Sequence, residues 1–176
     1  MATAKQVCVI LDDVLRLPEN TTRWHADRLR AKGLLPSTQG IPEQLEPTHI
    51  AALLVAVVTS SSVVSDYLDM RPVSGGAAFG ETLAGFIALP HDLLDLRIDA
   101  AAPGATLTYR AADRGVRVIV FAPSDPRPRP AFDREIRIGP DMFVNLAHAI
   151  AAAPEVRAGR PPIRDRYRRL ERAVQF

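Results

Sequence analysis

Cysteine is almost absent from this sequence, because Cys8 is the only one among 176 residues. An intrachain disulfide and a metal site built from several cysteines are therefore excluded, which favours a reducing compartment, and we expect a cytoplasmic protein. Long apolar runs are missing too: the longest, residues 50–58, is far shorter than the roughly 20 residues that span a bilayer. No charged and then apolar leader opens the sequence, so we expect neither export nor a membrane anchor.

Motifs for catalysis and metal binding are also lacking. The histidines do not have the spacing of metal ligands; they are His25, His49, His91 and His148. His91 and Asp92 follow a proline at a predicted helix end, where such residues commonly act as caps. The glycines of residues 75–80 do not follow a strand and do not precede Lys-Ser or Lys-Thr, as those of a phosphate loop would. We therefore expect no enzyme, no cofactor and no bound metal.

The composition that remains is that of a folded protein, with 47% hydrophobic and 24% charged residues. Its charge is unevenly distributed. Residues 1–35 carry six Lys or Arg against four Asp or Glu, residues 36–102 carry two against eight, and residues 103–176 carry fourteen against eight. Basic ends that flank an acidic middle are expected if both ends approach phosphate, although scattered surface arginines need no ligand.

Hydrophobic periodicity predicts helices in the first half of the chain. Residues 6–15 have helical spacing, although their Val-Cys-Val-Ile segment also fits a strand. A second helix is predicted from Asn20, as its N-cap, to Lys32, with Gly33 as its stop. Residues 48–58 are apolar on nearly every face, which predicts a buried central helix, and the preceding loop fits a wing or an irregular connector. Two further helices are predicted at 63–70 and 79–89, separated by a linker at 74–76.

Beyond Pro90 the period becomes alternating, which predicts strands at 94–98, 106–110, 116–121 and 132–138, with a hairpin turn at 113–115. We expect an α+β fold, in which a helical helix-turn-helix domain is followed by a small antiparallel sheet of three or four strands packed with helices, among them 141–152. The predicted parts are a DNA-binding domain at 1–73, an α+β module at 77–153 and a basic amphipathic tail helix at 154–176.

The second predicted helix has two unlike faces. Thr22, Ala26, Leu29 and Gly33 recur at helical spacing and should pack on the preceding helix. On the opposite face, arginine can pair with guanine edges, and threonine can reach a phosphate or a thymine methyl. We expect His25 to be structural and Trp24 to be partly buried against Leu17 or Leu34. The residues predicted to contact DNA are Asn20, Thr21, Arg23, Trp24, Asp27, Arg28, Arg30 and Lys32, with Arg164 and Arg168 in the tail.

The segment Thr22-Arg-Trp-His25, followed by Arg28-Leu-Arg-Ala-Lys-Gly-Leu-Leu-Pro36, a glycine-containing loop and an apolar helix, resembles the DNA-binding domain of MerR-type winged helix-turn-helix proteins. It is also similar to short regulators encoded by phages and prophages. The resemblance covers residues 5–58; Trp24-His25 replaces the paired tyrosines of the family, and residues 40–45 lack its Arg-Tyr wing element.

This resemblance implies sequence-specific binding of double-stranded DNA by a transcriptional regulator of phage or prophage type. A homodimer is expected because one short recognition helix buries too little surface, and pairing two half-sites doubles it. Three alternatives remain open at this point: a phage DNA-packaging or assembly protein with the same helical head, a protein–protein interaction module, or a helical hairpin with solvated arginines.

Overall fold

The computed structural model describes residues 2–37, 44–61, 63–124 and 134–154. Its helices are α1 (Ala4–Val14), α2 (Thr21–Ala31), α3 (Pro47–Thr59), α4 (Val64–Leu68), α5 (Phe79–Ala88) and α6 (Pro140–Ala152). Its strands are β1 (Arg71–Pro72), β2 (Leu93–Asp99), β3 (Gly104–Arg110), β4 (Val116–Ala122) and β5 (Glu135–Ile138). The predicted α+β class is confirmed, with a helical region first and an antiparallel sheet and a helix after it.

The first segment is a helix, and the alternative strand is excluded. A capping box begins α1: the Thr3 hydroxyl accepts from the Gln6 backbone N–H, while the Gln6 side-chain oxygen accepts from the Thr3 backbone N–H at 2.8 Å. One face of α1 is then buried through Val7 and Leu11, both at 0% exposure. This face packs against α2 and α6.

The predicted central helix is confirmed as α3. Pro47 stands in its first turn, where a missing backbone N–H costs nothing, and every residue from Ile50 to Val57 is buried. Such a helix has no solvent face, because α2 and α5 both pack against it. It therefore holds the helical region against the helices of the sheet.

Among the described residues the sheet has five antiparallel strands in the order β1-β4-β3-β2-β5, rather than three or four. The strand that the sequence pattern missed is β1, which has two residues, one of them Pro72, and so shows no alternation. The predicted hairpin turn is confirmed, since Arg114 adopts a left-handed φ of 63° and the Ala111 N–H donates to the Gly115 carbonyl at 2.8 Å. A turn at residues 73–74 follows β1, and the Gly75 N–H donates to the Pro72 carbonyl at 2.9 Å.

One face of the sheet packs on α5 and α6. Its buried side chains include Leu96, Ile98, Leu107, Phe121 and Ile138. The Phe121 ring meets Phe79 of α5 edge-on at 5.1 Å between centroids. Buried residues from both sides of 74–76 belong to one hydrophobic cluster. The predicted division into three parts stays a prediction, and the tail helix lies outside the described residues, as does most of the predicted wing.

Candidate nucleic-acid interface

The predicted DNA-binding unit is formed by α1 and α2, with α3 behind them. Residues 15–20 join α1 to α2, which is longer than the 3–4-residue turn of common helix-turn-helix motifs. Arg16 and Asn20 adopt left-handed φ values of 54° and 68° within this connection. The chain therefore turns sharply enough for α2 to pack on α1 in spite of the longer loop.

The start of α2 is capped by a residue that sequence reasoning did not select. Asn20 occupies the cap position, but its side chain makes no capping hydrogen bond. Instead the Thr22 backbone N–H donates to Oδ1 of Asp12 on α1 at 2.8 Å, and Asp12 is only 8% exposed. The predicted N-cap position is confirmed, but the left-handed backbone of Asn20 differs from the extended conformation typical of a capping residue, and its side chain does not cap the helix. The available signal was an acidic residue near the end of the preceding helix.

The end of α2 agrees with its predicted stop. Gly33 has a φ of 71°, its N–H donates to the Arg30 carbonyl at 3.0 Å, and the Leu34 N–H donates to the Leu29 carbonyl at 2.9 Å. This is a Schellman motif, in which glycine adopts the left-handed conformation without strain. Gly33 is consequently exposed and lies outside the buried face to which the spacing had assigned it.

The rest of that buried face is as predicted. Thr22, Ala26 and Leu29 are 0%, 0% and 2% exposed, and they pack toward α1 and α3. His25 joins them at 5% exposure. Burial, followed by the nearby Arg28 charge, lowers the pKa of His25. The imidazole is thus kept neutral as part of the packing, in agreement with a structural role.

The exposed side of α2 carries a tryptophan with an arginine stacked on it. Trp24 is 58% exposed, so the expected partial burial against Leu17 or Leu34 is wrong. Its ring meets the His25 ring edge-on at 4.8 Å, and the Arg28 guanidinium carbon lies 4.5 Å from the ring centroid. Trp24 and Arg28 are four residues apart and so share one side of the helix, which we call the Trp24 flank; Thr21 also belongs to it.

A second flank of α2 has a different charge. Arg23, Asp27 and Arg30 form this Arg23 flank, where Arg30 is ion-paired with Asp27 at 2.6 Å. It borders a groove of about 850 Å³ between α1 and α2. Four carboxylates and four cations line this groove: Asp12, Asp13, Glu19 and Asp27, with Lys5, Arg16, Arg23 and Arg30. A phosphate approaching this flank would meet as many negative as positive groups, whereas the Trp24 flank presents no carboxylate.

Cys8 also lines the groove and is 5% exposed. Burial raises the pKa of the Cys8 thiol to about 11. At neutral pH the group is therefore the protonated thiol, which is a poor nucleophile and a poor metal ligand.

The other residues predicted to contact DNA lie at the ends of α2 or outside the described residues. Asn20 and Lys32 are exposed at the two ends of α2, and the Thr21 hydroxyl donates to the Pro18 carbonyl at 2.7 Å. Arg164 and Arg168 lie outside the described residues, as do residues 38–43 of the predicted wing. The chain returns from that loop beside the N-terminus, where Gln44 forms a β-bridge with Thr3 and the Leu45 N–H donates to the Ala2 carbonyl at 3.0 Å.

Comparison with protein-family models, with curated proteins and with solved structures finds no match to this chain. Among the described residues, no cluster of three or more His, Cys, Asp or Glu side chains could hold a metal ion. None of the described helices has the length and apolar character needed to cross a membrane.

Proposed function

We propose that this chain is a sequence-specific, double-stranded DNA-binding protein, a transcriptional regulator of phage or prophage type that acts in the cytoplasm. In this proposal α2 is the recognition helix, and the Trp24 flank enters the major groove. The observation that carries the proposal is the two-sided character of α2: one side is buried through Thr22, Ala26 and Leu29, while the other exposes an arginine stacked on a tryptophan.

Stacking explains how Arg28 could contribute to selectivity. A free arginine loses side-chain entropy when it is held against a base, but a guanidinium already placed over an indole has lost part of that freedom beforehand. A held guanidinium can donate two hydrogen bonds to the O6 and N7 atoms of guanine. Thr21, one turn before Trp24 and two turns before Arg28 on this flank, is placed to reach a thymine methyl with its own methyl group.

Two copies are part of the proposal, since one short helix reads only a few base pairs. A dimer places two recognition helices on half-sites one helical turn apart, and this doubles the sequence that is read.

The test is selection of bound sequences from a random duplex pool, followed by affinity measurements on the selected site. Arg28→Ala should weaken specific binding by about 1 to 3 kcal/mol, which is typical for loss of a base-reading arginine. Arg23→Ala should weaken it less, because Asp27 and the mixed-charge groove adjoin Arg23. The matched control is Arg134→Ala, at an exposed arginine just before β5, which should bind as the parent does. Failure to enrich any motif, or equal affinities for all three variants, would remove α2 from the groove and favour an assembly role.

A further inference from the structure

The face of the sheet that points away from α5 and α6 carries an apolar stripe on β4. Val116, Val118 and Val120 alternate along this strand and are 64%, 59% and 50% exposed. Their cross-strand neighbours on β3 are Arg110, Thr108 and Thr106, in that order. Three exposed valines in one row are unusual for a protein surface and mark a contact site.

The backbone of β4 is open along the same segment. On one side β4 pairs with β3 from Val116 to Phe121, but on the other side β1 pairs only with Phe121 and Ala122. No other described strand covers β4 between Val116 and Ile119. β4 lacks two of the usual protections of an edge, because it is seven residues long and contains no proline. Its one charged residue, Arg117, lies on the face opposite the valines and is ion-paired with Asp113 at 2.9 Å.

The direction of the backbone groups can be worked out from two hydrogen bonds. The Val73 N–H donates to the Val120 carbonyl at 3.0 Å, so the groups of Val120 point toward β1. In an antiparallel strand, alternate residues direct their N–H and C=O to opposite sides. The N–H and C=O of Val116 and Val118 therefore also point outward, whereas those of Arg117 and Ile119 point to β3.

We propose that this edge is joined to the same edge of a second copy, so that the two sheets form one continuous sheet across a two-fold axis. Val116 and Val118 are placed symmetrically about Arg117. With the axis at Arg117, each Val116 exchanges both backbone hydrogen bonds with Val118 of the second copy, which gives four bonds in total. The valine side chains then form β-branched pairs on the outer face.

The surroundings of this edge limit the register on the Ala122 side and balance its charge. The Val120 carbonyl already accepts from the Val73 N–H, so a second copy paired further toward Ala122 would collide with β1. At the axis two Arg117 side chains approach each other, but each is held by its own Asp113 at 2.9 Å. A second copy therefore brings no uncompensated like charge to this edge.

The surface contains no residue of α2, so its test does not depend on DNA. The experiment measures mass by sedimentation over a concentration series, together with hydrogen exchange of individual amides. A concentration-dependent dimer is expected, in which the Val116 and Val118 amides exchange slowly at high concentration and fast on dilution. The Arg117 and Ile119 amides, which point to β3, serve as internal controls and should stay protected throughout.

Val118→Pro removes only the outward N–H and leaves the pairing of β4 with β3 available. Two hydrogen bonds are lost per dimer, so the dissociation constant should rise roughly 30-fold. Val118→Thr keeps the N–H and the β-branched shape and should dimerise nearly as the parent does. A parent chain that stays monomeric at all concentrations would overturn the proposal. A dimer in which the Val116 and Val118 amides exchange fast would also overturn it, because dimerisation would then use another surface. Both of these measurements use the parent chain, so they test the proposal even if the proline variant does not fold.

Discussion

His25 shows how burial of a single side chain links the packing of α2 to pH. Its imidazole lies among the residues that join α2 to α3, and burial lowers its pKa below the ordinary value of 6.5, with the Arg28 charge acting in the same direction. Just below pH 6.5, His25 therefore binds a proton more readily in the unfolded chain than in the folded chain. Stability that depends on neutral His25 is fully present above pH 6.5 and is lost as the pH falls below it.

We expect the free energy of unfolding to fall between pH 6.5 and the lowered folded pKa of His25, and the His25 contribution to level off below that pKa, where both states are protonated. His25→Gln removes the titration and should flatten this part of the profile. Denaturant unfolding followed by circular dichroism at several pH values measures both chains. Parallel profiles for the parent and the variant would show that His25 titrates alike in the folded and unfolded states.

At the scale of elements, α1 and α2 are coupled by a buried carboxylate. Asp12 belongs to α1, yet it satisfies a backbone N–H in the first turn of α2. The first N–H groups of a helix have no partners inside the helix, and a negative charge near them interacts favourably with the helix dipole. The orientation of α2, and with it the direction of the Trp24 flank, therefore depends on a side chain of the preceding helix.

Asp12→Ala should lower the free energy of unfolding by about 1 to 2 kcal/mol, which is typical for loss of a helix cap. Asp12→Asn keeps an acceptor oxygen and should lose less. Asp13→Ala is the matched control, because Asp13 is the exposed neighbour on α1 and should change stability by about 0.5 kcal/mol or less. Urea unfolding provides the values, and equal stability of the Asp12 and Asp13 variants would mean that the Asp12 contact does not support α2.

For the whole molecule, one hydrophobic cluster extends from the helices to the sheet. Phe79 at the start of α5 meets Phe121 of β4, and the Tyr67 hydroxyl of α4 donates to the Asp99 carbonyl of β2 at 2.9 Å. α3 packs against both α2 and α5. Loss of packing in the sheet should therefore also lower the stability of the helical region.

Phe121→Ala tests this, because Phe121 is 1% exposed in the sheet and Trp24, the single tryptophan of the sequence, reports on α2. The variant should lose about 3 to 5 kcal/mol. The unfolding midpoint should shift equally by tryptophan fluorescence and by circular dichroism, as one cooperative unit requires. Leu89→Ala, at a side chain that is 73% exposed, is the control. An unchanged fluorescence midpoint would make residues 1–73 a separate folding unit, as the predicted boundary at 74–76 implies.

Among the described residues, the sequence by itself determined the six α-helices, four of the five strands and the buried side of α2. These features depend on periodicity within a few residues, as in the apolar run of α3 and the alternation of β4, and periodicity can be read without knowing what lies across the core. The short strand β1 was not predicted, because a two-residue strand has no period. It forms by pairing with Phe121 and Ala122.

Only the tertiary structure decided what α2 exposes and what holds it. Trp24 was expected to be partly buried because tryptophan usually is, but no element among the described residues covers its side of the helix, and it is 58% exposed. The cap of α2 comes from Asp12, ten residues before the Thr22 N–H that it accepts from, and the valine row of β4 has an open edge because β1 is short. Each outcome depends on which distant residues come together, and this is set by packing of the whole chain rather than by local pattern.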